Sequence, residues 1–554
     1  MDSQRPFLYI TLLFLGFLMW TTWKQDHAPA PPTPVQVTQT TNQNSAVPTA
    51  TDTTTASPNT ALPTASNVAA GQLIRVRTDV LDLQISTRGG DVVTADLPTY
   101  PVSLDQKDKP VRILDLTNRG YVAQSGLVHG AVQGQDVSQL APSHTAEYKF
   151  EKTDYVLENG QNELIVPLTW TGSNGVVVTK AYRFQRGHFE VEVNHLVKNN
   201  SPTTWSALQY SQLQHGPAVT NRNLLTSGVQ AYEGGAYYLD DKYTKLQYTN
   251  IKDLAAGTAK ANGGWIAMLQ HYFVGAWVPD QTQENYYYGN EFNENGTVFY
   301  RLGVKGPLLN VAAGGEGVFT SKLWVGPKLQ DDLEKVAKGL DLTVDYGIFA
   351  VVSKPIFAVM KWIHGVVGNW GWTIILLTIF IKLLFFWPSA ASYRSMAKMK
   401  AVAPRLKEIT ERFASDPQAK QKAMMDLYKK EKINPLGGCL PILIQIPVFM
   451  GLYWVLLESV ELRQAPWILW YKDLSIKDPF YVLPLIMGAT MFLQQKLNPP
   501  PADPMQQKIF QFLPVIFTVM FLFFPAGLVL YWVVNNALSI AQQWVINKKL
   551  LGHV

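Results

Sequence analysis

The apolar residues of this chain are gathered unevenly, into residues 7–23 and a series of runs beyond residue 348. About 20 apolar residues cross a hydrocarbon core of about 30 Å as a helix. In lipid every backbone polar group must find a partner inside the protein, so runs of this length are helices. The chain therefore reads as a polytopic α-helical membrane protein carrying one large soluble insertion. Its charged fraction, 16%, agrees, being well below the roughly 25% of soluble domains. At 554 residues it exceeds one compact core. The net charge of +5 is too small to argue for nucleic acid, and DNA is not an expected partner. The single cysteine, Cys439, allows neither an intrachain disulfide nor a thiolate zinc site, and it reads as a small packing residue.

Residues 1–27 are expected to form a signal-anchor helix. Arg5 alone precedes the apolar run, and the bulky Met19, Trp20 and Trp23 close it where a cleavage site would need small residues. Residues 28–71 are rich in Pro, Thr, Ala and Ser, with Asp52 the only charge as far as residue 70, and read as a disordered tether. Residues 72–345 switch to short alternating stretches such as Ile74–Arg77, Leu81–Ile85 and Phe189–Val193, broken by Gly, Asn, Asp and Pro. That pattern predicts a large β-sandwich, closed by a short helix near Asp331–Gly339. Its histidines, His129, His144, His188, His195, His215 and His271, are scattered among strands and read as structural.

Residues 346–368 are expected to form an amphipathic interfacial helix, with Lys354, Lys361 and His364 on one face. The alternative is the first turns of a long span. Residues 369–393 form the next membrane helix, and 435–547 hold four more, in apolar segments near 436–457, 480–495, 509–524 and 526–546. Each of these four contains or abuts a proline, and two are about 24 Å long, short enough to thin the bilayer. Residues 394–434 hold eleven Lys or Arg against five acids, and Lys548 and Lys549 follow the last helix, in a short basic tail over 548–554. The positive-inside rule places both in the cytoplasm. Six spans then leave both termini cytoplasmic and the β domain periplasmic, in the inner membrane of a bacterium.

Within this frame Lys382 stands out. It lies deep in the run Trp370–Trp387, where a charge costs roughly 2.5–3.5 kcal/mol on insertion scales. It either snorkels to an interface or faces a polar cavity, and the second reading is favoured. Thr378 shares its face, Gln445 sits between Pro441 and Pro447, and Tyr531, Asn535 and Gln542 form a stripe on the last helix, with Ser539 adjacent. Together they suggest one hydrophilic cavity. The basic segment is a helical hairpin: Val402, Leu406, Ile409 and Phe413 make its seam, and Asp416-Pro417 opens its second helix. It is either a docking arm for an acidic partner or RNA, or a solvated hairpin made basic by topology alone. No G-x-S-x-G, H-E-x-x-H or P-loop is present, so neither an enzyme, a metal nor a cofactor is expected.

Lys432–Pro441, Ser459–Pro466 and Asp503–Lys508, with the start Met-Asp-Ser-Gln-Arg, closely resemble the YidC membrane protein insertases of Gram-negative inner membranes. The resemblance covers nearly the whole chain. It implies a periplasmic β-supersandwich and a five-helix insertase core with an extra N-terminal helix. It implies that membrane proteins are inserted, folded and assembled, alone or with the Sec translocon, through a hydrophilic groove open to cytoplasm and lipid. Substrate-groove residues would be Lys382, Thr378, Gln445, Tyr531, Trp532 and Asn535, with an apolar slide at Ile446, Pro447, Phe449 and Met520. Hairpin docking would use Lys398, Lys400, Arg405, Lys407, Lys429 and Lys430. The implied partners are nascent inner-membrane proteins, the Sec translocon and its accessory subunits, the ribosome or signal recognition particle, and the phospholipid bilayer. Three features depart from the family. Lys382 replaces its usual arginine, Tyr531-Trp532 replaces a tyrosine pair, and the long basic tail of some relatives is missing. Two other classes compete. A transporter would have a polar midplane site, but no internal repeat is visible. A membrane-tethered periplasmic carbohydrate-binding or carbohydrate-modifying protein would place function in the β domain.

Overall fold

In the computed structural model, residues 71–130, 139–217, 232–254, 259–294, 296–413, 416–431, 440–498 and 504–551 are described. The expected anchor, the tether and Cys439 lie outside them. The described chain divides into two units: a β unit ending at Tyr346 and completed by Glu458–Gln464, and a helical unit built from the remainder beyond Gly347.

The β unit follows from the period-two pattern. Leu73–Arg77 buries Ile74 and Val76 and turns the intervening residues outward. It pairs antiparallel with Asp82–Ser86, setting Ile74 opposite Ile85, so one face of the ladder is apolar. Among the described residues two sheets form. One has eleven strands and runs from Ala259–Asn262 to Asp154–Val156; the other has nine and runs from Lys242–Leu246 to Lys149–Phe150. Trp265–Leu269 is wholly buried and is followed by the strand Phe273–Pro279. Trp265 and Trp277 reach zero exposure, and each indole finds a backbone acceptor, Lys338 O and Gln212 O, both at 3.1 Å. The expected closing helix is α1, Gln330–Val336.

Glu458–Gln464 joins this unit through Val460 in the core and Arg463, which donates to Pro101 O (2.7 Å) and Val102 O (3.0 Å). Burial beside this segment pushes the Lys328 ammonium down to about 8, and Glu458 partly offsets it. His195 is fully enclosed and His144 is buried. Burial holds both well below the ordinary imidazole range, so they are neutral hydrogen-bonding groups, His144 to Tyr210 and His195 to Gln209.

The helical unit comprises α2 (Ala350–Val367), α3 (Trp370–Leu384), α4 (Phe386–Arg412), α5 (Pro417–Lys430), α6 (Leu440–Glu458), α7 (Val482–Leu497), α8 (Pro504–Phe521) and α9 (Ala526–Leu551). α2 ends at Gly368, whose left-handed backbone donates to His364 O, and Asn369 then caps α3. α2 and α3 are thus separate helices. Among the described residues Gly347–Val367 is by itself long and apolar enough to cross a membrane, and α3 and α4 pass that test as a pair bent by 69°. Gln445–Glu458 and Gln507–Phe521 are shorter apolar helices.

The bend corrects a boundary. The expected division at 393/394 falls inside α4, and the break comes at Phe385. Pro388 explains it, because its ring would clash with the Leu384 carbonyl in a continuous helix, whereas the first turn of a new helix accepts it. Asp416 does cap α5 as expected, accepting from Gln418 N and Ala419 N at 3.0 Å each.

Candidate functional site

The polar residues of the helical unit converge on α9. Residues four apart share a helix face, so Asn535 and Ser539 lie one above the other. Ser539 gives its hydroxyl proton to Asn535 O (2.7 Å) and accepts from Lys382 Nζ of α3 (2.7 Å). Gln445 of α6 donates to Asn535 Oδ1 at 2.6 Å. Three helices far apart in sequence thus meet through Lys382, Ser539, Asn535 and Gln445. Asn535 and Ser539 are buried, while Lys382 remains partly open beside exposed Leu383 and Leu384. Among the described residues no carboxylate pairs with Lys382. An ammonium has three donors, and the cluster supplies it with a neutral hydroxyl.

Aromatic residues wall this cluster. Trp532 packs on Phe449 with ring centres 5.0 Å apart and on Phe521 at 5.8 Å, and Phe449 stacks on Tyr531 at 6.1 Å. The Tyr531 hydroxyl is buried beside Gln445. Ile446, Pro447 and Met520 present exposed apolar surface, whereas Phe449 belongs to the aromatic group.

Thr378 is not part of the network. It is buried and returns its hydroxyl to Ile374 O of its own helix at 2.6 Å, a common fate of threonine in helices. Gln542, expected on the polar stripe, instead donates to Phe386 O at 3.3 Å. Ser539, which the sequence reading leaves beside the stripe, is the residue that receives the lysine. Its spacing of four from Asn535 puts it on the same face of α9, but nothing local in the sequence joins it to α3.

The N-terminal ends of α3 and α9 are held by local chemistry. Asn369 accepts from Trp372 N and donates to Pro466 O and Trp467 O, each at 3.2 Å. Gly371 has no alternative, since a Cβ there would lie 2.1 Å from the Trp467 ring. The free donors opening α9 are taken by the preceding loop, Ala526 N by Ile476 O (2.7 Å) and Gly527 N by Leu474 O (2.9 Å).

The basic hairpin closes on Val402 and Leu406, with Met399, Met424, Leu427 and Tyr428 packed around them. Arg405 pairs with Glu431 at 2.7 Å and Lys407 approaches Glu411 at 3.9 Å. Lys398, Lys429 and Lys430 are exposed, and Lys400 is half-buried.

Residues 362–552 match the family described as 60Kd inner membrane protein, and residues 73–359 match the YidC periplasmic domain. The chain is 50% identical to the membrane protein insertase YidC of Thioalkalivibrio sulfidiphilus, over 99% of both chains. It is 46% identical to those of Methylococcus capsulatus and Stutzerimonas stutzeri, again over 99% of each. The chain belongs to the YidC family. That membership assigns the β unit to the YidC periplasmic domain and the helical unit to the inner-membrane part. The YidC-family chain therefore joins an all-β domain to a helical membrane core, the fold class its sequence pattern predicts.

Proposed function

We propose that this chain inserts nascent membrane proteins, and that the Lys382–Ser539–Asn535–Gln445 cluster receives the polar flank of an entering segment. The observation that carries this reading is the lysine: a cation on an apolar helix, with a hydroxyl partner and spare donors. An incoming polar flank would otherwise cross about 30 Å of hydrocarbon. A polar cluster walled by helices lowers that desolvation cost, and the short helices thin the barrier. Lys382 attracts acidic flank residues. A pair at about 4 Å is worth about 1 kcal/mol in water and about 4 at an effective dielectric of roughly 20. Burial of the client's own apolar helix in lipid drives the step, helped by the membrane potential. Ile446, Pro447, Phe449 and Met520 offer that helix an apolar path. The hairpin carries the exposed cations for docking the ribosome or the signal recognition particle system, and the Sec translocon is a further partner. The β domain is periplasmic, α2 lies at the interface, and the process is not enzymatic.

The alternative, a periplasmic carbohydrate protein, places function in residues 72–340. Deleting that segment while keeping both flanks separates the two. The insertase reading expects client insertion to continue at near the parent rate and a photo-crosslinker at Gln445 to capture arrested nascent chains. Loss of all activity with a stably accumulated helical unit, or no capture at Gln445, would overturn it.

A further inference from the structure

A second polar seam runs along α9, about a quarter turn from the first, where nothing in the proposed groove requires it. Asn536 is 3% exposed and donates to Thr490 Oγ1 of α7 at 3.3 Å; Thr490 in turn donates to Met487 O at 2.8 Å. Gln543 is 1% exposed and donates to Leu497 O at 3.3 Å and to Asn498 Oδ1 at 3.1 Å. Leu497 is the last residue of α7, so Gln543 occupies one of the carbonyls that a helix end leaves free. The rungs are seven residues apart on α9, from 536 to 543, and seven apart on α7, from 490 to 497. Seven residues are two helical turns, about 10.5 Å. The rungs climb together, so the helices run parallel and both rungs fit in one register. A slip by one residue breaks both.

This seam is not the arrangement of greatest burial economy. Gln543 Oε1 is enclosed without a partner. Leucine at 543 would remove that oxygen, though Leu497 O and Asn498 Oδ1 would lose their donor. A buried polar side chain retained at such a cost is the device by which helix pairs fix register.

We propose that Asn536 and Gln543 are positioning residues, which lock α9 against α7 and thereby set the rotation at which Asn535 and Ser539 meet Gln445 and Lys382. Asn535 and Asn536 are adjacent on one helix, so their side chains point about 100° apart. Holding one toward α7 aims the other at α6. The inference rests on the insertase reading for its consequence, but its geometry is measurable without it.

The test uses the full chain with Cys439→Ser and spin labels on introduced cysteines at Phe492 and Val545, which are 50% and 43% exposed on α7 and α9. The parent is expected to give one narrow interlabel distance. Asn536→Leu/Gln543→Leu is expected to broaden or split it and to lower insertion several-fold. Asn536→Leu alone should do the same in part. The exchanged pair Thr490→Asn/Asn536→Thr keeps an amide facing a hydroxyl and should restore both readouts relative to Asn536→Leu. An unchanged distance in the double leucine variant overturns the lock. So does a failure of the exchanged pair to rescue when it elutes as a monodisperse protein. A broadened distance with insertion unchanged overturns the positioning role. None of these outcomes depends on client charge, which is what tests Lys382, so the two readings fail separately.

Discussion

Each unit sets a lysine among apolar residues, and the two are treated in opposite ways. Lys180 in the β unit has zero exposure; its ammonium donates to Gly89 O (2.9 Å) and Ser125 O (2.8 Å), near buried Asp91. Asp91 is itself held by Gln124 Nε2 at 2.8 Å, and Gln124 by Gln212. Burial pushes the Asp91 carboxyl up and the Lys180 ammonium down, and each charge partly offsets the other's shift. This cation is enclosed and balanced, so it organises an interior. Lys382 is partly open and has a hydroxyl where Lys180 has a carboxylate neighbour and two carbonyls. A cation left with spare donors beside an apolar surface can accept a visitor; a balanced one cannot.

Charge reversal at Lys382 should break this contrast most visibly. Lys382→Glu is expected to lower insertion of a client with an acidic translocated flank by on the order of tenfold or more, since attraction of about 1–4 kcal/mol becomes repulsion. A client with a neutralised flank should lose much less, and Lys382→Arg should retain activity. Protease protection of the two clients reads this. Equal insertion of the acidic client by parent and Lys382→Glu would leave this lysine a structural role alone.

The converse holds for Lys180. Lys180→Met strands Asp91 without its cation, and about 3–5 kcal/mol of β-unit stability should go. Pairing it with Asp91→Asn should recover much of that loss. Denaturation of the full chain in detergent, followed by tryptophan fluorescence, measures both, and insertion of clients by the surviving folded protein should be unaffected. A Lys180→Met protein as stable as the parent would show that the pair is not balanced.

The β interior also predicts a pH dependence. His144 and His195 have folded-state values lowered by burial. Their contribution is therefore present above the unfolded imidazole value, near 6.5, and is lost as pH falls below it. Each costs about 1.4 kcal/mol per pH unit there. Asp91 works in the opposite sense, because its value is raised: it favours the fold at low pH and opposes it as pH rises through the raised value. Two histidines outweigh one aspartate, so stability should fall from pH 6.5 toward 5. His195→Gln should flatten that slope by about one proton's worth. A slope unchanged by the substitution would mean that His195 does not stay neutral.

The smallest effect is expected at Ser539. Interhelical hydrogen bonds in membranes average about 0.6 kcal/mol. Ser539→Ala should lower helical-unit stability by about that much and insertion of the acidic client less than threefold. A loss as large as that of Lys382→Glu would make the hydroxyl, rather than the charge, the chief contact.

The features legible in the chain are the local ones. Apolar run length marks the helices, Asp416-Pro417 opens α5 where the capping rule puts it, and alternation at Ile74–Arg77 and Leu81–Ile85 becomes a paired ladder. Pro388 was equally local, and its consequence, the bend at Phe385, follows from proline's missing N–H and ring clash. Lys382 could be singled out because burial of a charge is costly whatever surrounds it. Its partner could not. Ser539 lies 157 residues away, and no spacing rule joins α3 to α9. The same is true of Thr490 with Asn536 and of the packing of one sheet on the other that brings Lys180 to Gly89 and Ser125. Propensity, capping and amphipathic period act within a few turns of chain and are written there. Which polar side chains share a cavity depends on how whole helices pack, and that packing energy is summed over contacts remote in sequence.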